Sequence, residues 1–297
     1  MNERTNEAYV IFGMGLIGKA MYKKLSNCTN DYRLFAFDRA RVDVTCRDQV
    51  RPILEFVKPT TVILCAGLFD AEDCEADKDL ANTLNALAPN LMAEECKRVH
   101  AKIVFFSTSM VYDNKRQTAS SERTKVNPIN ILAKTKLDGE NAIKKQIANH
   151  LIVRPGTLFS EDESNILKSV IDTKQKGLNF HSNDQIITPT YTDDMANGVI
   201  GLIQNRSVGV FNLGNKGSSK ITDFFSTVFK CSKLDTSVEP LPDFANGFFA
   251  PRPQNQSISI RKFEKETGFT FRTWEEALKD CLAKMKRSPP DSSESTI

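Results

Sequence analysis

The feature that most constrains the fold is the first apolar run of the chain and the glycine-rich turn that follows it. Tyr9-Val10-Ile11-Phe12 is typical of a buried strand, and the next residues, Gly13 to Gly18, have the spacing G-x-G-x-x-G. Gly13 permits a tight turn, Gly15 lets the backbone approach a pyrophosphate, and Gly18 allows close helix packing. This pattern predicts a dinucleotide site made by Gly13, Gly15, Leu16, Ile17 and Gly18, against the alternative of a plain strand-to-helix turn.

A second apolar strand, Leu34 to Phe37, ends at Asp38. An acid about 20 residues beyond the last glycine is where a dinucleotide-binding fold binds the ribose hydroxyls. Arg39 and Arg41 follow it, and an arginine beside the acid can accept a 2′-phosphate. We therefore predict that Asp38 and Arg39 contact the cofactor, and the choice between NADP and NAD stays open.

Composition excludes several function classes. The net charge is +3, the Lys and Arg residues are scattered, and no apolar run approaches the length of a membrane span. We expect neither nucleic acid nor a membrane as a partner. The seven cysteines are odd in number and form no C-x-x-C pair. They predict reduced thiols in a cytoplasmic protein, with no metal site.

Apolar strands alternate with helical segments along the first half of the chain, as in residues 61–65, 102–106 and 151–154. This alternation predicts an α/β fold with a doubly wound parallel sheet, a Rossmann fold, and a small C-terminal lobe on the substrate side. We expect four segments: a disordered lead at 1–7, an NAD(P)-binding domain at 8–160, further sheet elements and the substrate lobe at 161–287, and a disordered tail at 288–297.

Ligands of such sheets lie beyond the carboxyl ends of the strands. The small residues Ala66 and Gly67 after Cys65 would let this backbone lie against the cofactor ribose, against the alternative of a plain tight turn. The same rule places Thr108 in the crevice. Within a helix expected from about residue 76 to 100, Pro89 should kink the helix or end its first half. Asp193 and Asp194 precede an apolar helical run and are expected to cap it.

Taken in order, these segments resemble the extended short-chain dehydrogenase/reductases and, within them, the dTDP-4-dehydrorhamnose reductase family. The likeness covers almost the whole chain and is carried by the pieces Gly13–Gly18, Asp43-Val44, Asp73-Cys74-Glu75, Asn85 with Pro89, residues 107–113, residues 128–140, Arg154, Pro189-Thr190-Tyr191 and Arg252-Pro253.

The resemblance implies a Thr/Ser-Tyr-Lys catalytic group, in which the lysine also binds the nicotinamide ribose. Lys136 matches the lysine and Thr108 the hydroxyl, but Leu132 stands where the family has tyrosine. The resemblance further implies that Asp43 and Val44 contact the cofactor. It implies a nucleotide-sugar substrate bound by Thr108, Ser109, Tyr112, Thr157 and Arg252.

Leu132 has no proton to give, and three explanations stay open. Tyr112, Tyr191 or a water beside Lys136 supplies the proton to a 4-keto-6-deoxysugar. Alternatively, the chain is a non-catalytic NADP-binding subunit, similar to the regulatory β subunit of methionine adenosyltransferase. The third explanation is an aberrant substitution. We favour the reductase, acting alone, as a homodimer or with a larger protein.

Overall fold

A computed structural model describes residues 7–28, 32–112, 118–162, 166–176, 181–182, 185–235, 237–240 and 250–286. The predicted tail at 288–297 lies outside the described residues, as does the predicted lead apart from Glu7.

The central element is a six-stranded sheet whose strands all run parallel in the order β10-β5-β4-β3-β1-β2. Each strand pair is joined by way of a helix, so the predicted doubly wound α/β fold is confirmed. Small two-stranded sheets complete the later part of the chain. In chain order the strands are β1 (Ala8–Phe12), β2 (Arg33–Phe37), β3 (Thr61–Leu64), β4 (Lys102–Phe106), β5 (His150–Pro155), β6 (Thr157–Phe159), β7 (His181–Ser182), β8 (Ile186–Ile187), β9 (Pro189–Tyr191), β10 (Gly209–Leu213), β11 (Ser219–Lys220) and β12 (Glu239–Pro240).

Helices cover both faces of the central sheet. They are α1 (Leu16–Ser26), α2 (Arg47–Val57), α3 (Ala71–Ala76), α4 (Lys78–Asn82), α5 (Ala88–Arg98), α6 (Ile131–Gln146), α7 (Ile166–Gln175), α8 (Thr192–Gln204), α9 (Ile221–Cys231), α10 (Arg261–Thr267) and α11 (Trp274–Met285). Among the described residues, no helix is both long and apolar enough to span a bilayer.

Alternate residues of the strands enter two separate apolar cores. Ile11 and Ile63 pack on the side of α1 and α8, whereas Val10 and Val62 pack on the side of α2, α5 and α6. Strands buried on both faces read as continuous apolar runs, which is why the sequence indicated them clearly. A third core, formed by α7, α9 and α11, belongs to the later segment.

The helix expected from about 76 to 100 is present from Lys78 to Arg98, with a π-helical turn inside it. The chain forms α3, α4, a π-helical turn at Thr83–Leu87 and then α5. Pro89 comes directly after the π-helical turn, so the helix continues past the proline and its backbone hydrogen-bond ladder is altered at Thr83–Leu87. The π turn buries Asn85, whose side chain bonds both the N–H and the carbonyl of Leu68.

Candidate active site

A cavity of about 670 Å³ lies beyond the carboxyl ends of β1, β2 and β3. Small-molecule sites commonly enclose about 300–1,000 Å³. Five segments contribute its wall: the glycine-rich turn, the loop after β2, the loop after β3, α4 with the π-helical turn, and β6. The lining residues include Gly13, Met14, Gly15, Leu16, Ile17, Asp38, Arg39, Val42, Asp43, Val44, Thr45, Cys65, Ala66, Gly67, Leu68, Phe69, Leu80, Thr83, Leu84 and Leu158.

The glycine-rich turn has the geometry of an anion cradle. Gly13 adopts a φ of 94°, a backbone conformation that residues other than glycine rarely adopt. A Cβ on Gly18 would lie 1.9 Å from the Gly13 carbonyl oxygen, so helix and turn require a glycine there. No side chain caps α1, and its first turn carries no acid. The N–H groups at the start of α1 therefore suit a phosphate, and the turn fits a dinucleotide.

Asp38 and Arg39 are exposed at the rim of this cavity, at the end of β2. The Arg41 N–H donates to the Asp38 carboxylate at 3.1 Å, which holds that carboxylate in place. Asp43 also lines the cavity. Hydrogen bonds donated by the hydroxyl and N–H of Thr45 hold the pKa of Asp43 below its ordinary value.

The loop after β3 approaches the glycine-rich turn closely. The N–H groups of Cys65 and Ala66 both donate to the Phe12 carbonyl at 2.8 Å. A Cβ on Gly13 would lie 2.4 Å from the Ala66 nitrogen. Burial raises the pKa of the Cys65 thiol, so Cys65 is a neutral wall of the cavity.

Lys136 projects from α6 toward the inner end of the cavity. Its side chain is fully buried, and its Nζ has no hydrogen-bond partner among the described residues. The Nζ lies 3.6 Å from the centroid of the Phe69 ring, and a Cβ on Gly67 would approach it to 2.8 Å. Burial lowers the pKa of Lys136 to about 7. A buried amine without a partner, beside two residues of the cavity wall, has the placement expected of a ligand-binding group.

Leu132 lies one turn before Lys136 on α6, so the two side chains share a helix face. Leu132 is buried in an apolar cluster, and the partly buried Leu68 of the cavity wall packs against this cluster. The other buried members are Ala71, Cys74, Ala81 and Ala250. At this position the structure therefore has the apolar side chain of Leu132, whereas the resemblance predicts the phenol of a tyrosine.

Comparison with known proteins places the chain in a family. The model of the RmlD substrate binding domain matches residues 8–287. The chain belongs to the RmlD substrate-binding domain family. Its relatives include the spore coat polysaccharide biosynthesis protein SpsK of Bacillus subtilis, which is 28% identical over 90% of this chain and 94% of that protein.

Solved structures of similar proteins agree with this membership. A dTDP-4-dehydrorhamnose reductase of Clostridium acetobutylicum shares 29% identity with a TM-score of 0.88, covering 94% of this chain and 99% of that one. The same enzyme of Bacillus anthracis, solved in complex with NADP, shares 26% identity with a TM-score of 0.88 over 94% and 100% of the two chains. The RmlD-like fold seen here is thus that of known reductases.

For this RmlD family member, the cofactor residues expected from the sequence surround one cavity, with two exceptions. Gly18 lies beneath the turn, and Lys136 lies behind Gly67 and Phe69. The other predicted residues all line the cavity: Gly13, Gly15, Leu16, Ile17, Asp38, Arg39, Asp43, Val44, Cys65, Ala66 and Gly67. Their individual roles stay predictions.

The five expected substrate residues are more dispersed, and none of them lines this cavity. The Thr108 hydroxyl accepts from the Met110 N–H at 3.1 Å and caps a short 3-10 turn, Ser109–Val111, which buries Ser109. Thr157 lies in β6. Arg252 donates to the Glu72 carboxylate of α3 at 3.2 Å.

Tyr112 is part of a buried polar network below the crevice. Its hydroxyl donates to the Asn212 side chain at 3.0 Å and accepts from Arg154 at 2.8 Å, and its side chain is 1% exposed. Burial raises its pKa. Arg154 also binds both carboxylate oxygens of Glu140. A substrate role for Tyr112 stays a prediction. The Tyr112 hydroxyl is buried and already hydrogen-bonded, which does not favour that role.

Sequence reasoning missed Phe69, the aromatic ring that covers the Lys136 amine and lines the cavity. A single aromatic in a polar loop gives no periodic signal. Its position two residues after Gly67, at the end of a strand already expected to reach the cofactor, was the one indication available.

Proposed function

We propose that this chain is an NAD(P)H-dependent reductase of a nucleotide-activated 4-keto-6-deoxysugar, similar to dTDP-4-dehydrorhamnose reductase. The proposal rests on one observation, which is that the N-terminus of α1 and the Lys136 amine lie close to the same cavity. A helix N-terminus suited to phosphates opens the cavity, and the Lys136 amine, which has no hydrogen-bond partner in the described part of the chain, lies behind Gly67 and Phe69 of its wall. When bound, the nicotinamide supplies hydride.

On the cofactor side, the N–H groups of α1 bind the pyrophosphate and Asp38 accepts hydrogen bonds from the ribose hydroxyls. Arg39 is placed to meet a 2′-phosphate at the same rim. Lys136 binds the nicotinamide ribose past Gly67, whose lack of a side chain leaves room for the amine.

On the substrate side, α3, the start of α6 and residues 250–253 form one wall. Asn130, the N-cap of α6, donates to the Pro251 carbonyl at 2.9 Å, and Arg252 is held by Glu72. Thr108 lies at the carboxyl end of β4, where its hydroxyl can donate to the substrate carbonyl while accepting from Met110. A nucleotide sugar is the substrate class proposed for this wall.

One observation favours a second function. Leu132 supplies no proton, as in a scaffold that binds cofactor and regulates a partner without catalysis. Whether the chain acts alone, as a homodimer or with a larger protein stays a prediction, as does its cytoplasmic location.

Turnover separates the two functions. Purified protein is mixed with NADPH or NADH and a dTDP-4-keto-6-deoxysugar, and the nicotinamide absorbance is followed. We expect consumption of the reduced cofactor that Lys136→Ala abolishes and Lys134→Ala leaves unchanged, because Lys134 is exposed on the same helix. Tight cofactor binding without any turnover, with co-purification of a larger protein, would contradict the reductase and favour the subunit.

A further inference from the structure

The surroundings of the Lys136 amine contain no carboxylate in the described part of the chain. The charged or titratable groups that act on it are the thiols of Cys65, after β3, and Cys74, on α3. Burial raises the pKa of both thiols, so both stay neutral. Phe69 and Phe105 present their rings, with centroids 3.6 and 5.2 Å from Nζ.

This environment makes the amine easy to deprotonate. Burial removes water from the charged ammonium form of Lys136, and the faces of the two phenylalanine rings compensate for the lost hydration only in part. The pKa of Lys136 therefore falls to about 7. A group that titrates near the working pH is well matched to proton transfer.

The two tyrosines considered as proton donors are engaged elsewhere. The Tyr112 hydroxyl donates to Asn212, and the Tyr191 hydroxyl donates to Glu161 at 2.8 Å. Both tyrosines are buried, which raises their pKa values. The hydroxyl of Thr135, next to Lys136 in the chain, donates to the Ile131 carbonyl at 2.8 Å.

We propose that Lys136 itself donates the proton in this reductase, in the place of the tyrosine that Leu132 replaces. This inference rests on the proposed function. Hydride from NADPH or NADH forms the new C–H bond at the carbonyl carbon, and the C=O π pair moves to oxygen. That oxygen takes a proton as an Nζ–H bond of Lys136 breaks, which yields the alcohol and a neutral amine that water then protonates.

Access to the amine requires the Phe69 ring to move. Phe69 is 36% exposed and lies in the loop after β3, on the solvent side of the amine. Gly67 beside it presents no side chain toward Nζ. The amine can then reach a carbonyl held between this loop and the Leu132 cluster.

The first test measures the titration of Lys136 directly, in protein without cofactor. Lysine is labelled with carbon-13 at Cε, and the Lys136 resonance is assigned from its loss in Lys136→Met. We expect a titration near pH 7 for Lys136, well below the ordinary lysine value of about 10.4. A Lys136 resonance that stays charged up to pH 10 would overturn the proposal and leave the reductase function untouched.

The second test is the pH dependence of turnover. With Lys136 as acid, kcat falls by about tenfold per pH unit above its pKa. Lys136→Arg keeps the charge but cannot release a proton, so it should bind NADPH and lose about 10²–10⁴-fold in kcat. Lys134→Arg is the matched control and should behave as wild type.

The outcomes are distinguishable. Wild-type turnover that is independent of pH between 6 and 9, or Lys136→Arg with wild-type kcat, overturns the acid role alone. Absence of turnover in wild type at every pH, while NADPH still binds, overturns the proposed function and the acid role together.

Discussion

At the scale of the residue, burying Lys136 has a free-energy cost that depends on pH. The folded protein holds its pKa at about 7, whereas an unfolded chain holds it near the ordinary value of about 10.4. Between these values the unfolded state binds more protons, so the Lys136 contribution makes the unfolding free energy rise with pH. The cost is fully present below pH 7 and disappears as the pH rises toward 10.4.

Lys136→Met should therefore stabilise the fold most at low pH. The gain in unfolding free energy over wild type should shrink by about 1.4 kcal/mol for each pH unit between 7 and 10. Denaturant unfolding at several pH values measures this gain. Lys134→Met, at an exposed site on α6, should show no such trend, and a constant gain for Lys136→Met would contradict the shifted pKa.

Arg39 offers a residue-level test of cofactor choice. It lines the cavity next to Asp38, whereas the exposed Arg41 does not. If Arg39 binds a 2′-phosphate, Arg39→Ala should raise the Kd of NADPH by about 10- to 150-fold, because a charge-assisted hydrogen bond contributes about 1.5–3 kcal/mol. The Kd of NADH should stay unchanged. Fluorescence titration checks this, with Arg41→Ala as control. Equal changes for both cofactors would contradict the role.

At the scale of the element, two helical glycines make a matched pair. A Cβ on Gly18 of α1 would lie 1.9 Å from the Gly13 oxygen, whereas a Cβ on Gly201 of α8 meets nothing within 4 Å. Gly18→Ala should displace the turn, lower the Tm and abolish NADPH binding. Gly201→Ala should raise stability by up to about 1 kcal/mol through helix propensity. Wild-type cofactor affinity in Gly18→Ala would contradict the cradle assigned to this turn.

The central strands were predictable because they are buried on both faces, and α11 because Thr273 and Glu276 form a capping box in front of Trp274. The π turn around Asn85 was not predictable, since it depends on hydrogen bonds to Leu68 from outside the helix.

The cap expected at the start of α8 was wrong. Tyr191 is the N-cap residue and no side chain bonds the helix end there. Asp193 instead pairs with Lys23, Lys24 and Lys284, and Asp194 with Arg272. These cations come from distant segments, so the local sequence pattern could not reveal them.

In the candidate site, too, features with a local sequence signal were predictable and contacts between distant segments were not. The glycine-rich turn, Asp38 and the Cys65 to Gly67 loop carry local signals because each follows a strand of a parallel sheet. The ring of Phe69 over Lys136 and the Arg252–Glu72 pair join residues far apart in the chain. Such contacts depend on tertiary packing, which spacing alone does not encode.

At the scale of the whole molecule, the sheet brings the phosphate cradle and Lys136 together at the carboxyl ends of its strands. The phosphate cradle lies beside β1, and Lys136 lies behind Gly67 and Phe69 of the same cavity wall. Below this crevice, Arg154 of β5 binds Glu140 of α6 and Tyr112, which in turn binds Asn212 of β10. This buried network ties α6, and so Lys136, to the later strands of the sheet.

The most direct test of this account follows the hydride itself. The protein is incubated with a dTDP-4-keto-6-deoxysugar and NADPH or NADH deuterated at the reactive nicotinamide carbon, and the sugar product is analysed by mass spectrometry and NMR. We predict a product carrying a single deuterium on carbon 4. Recovery of unchanged keto sugar, with the deuterated cofactor bound but intact, would contradict the account.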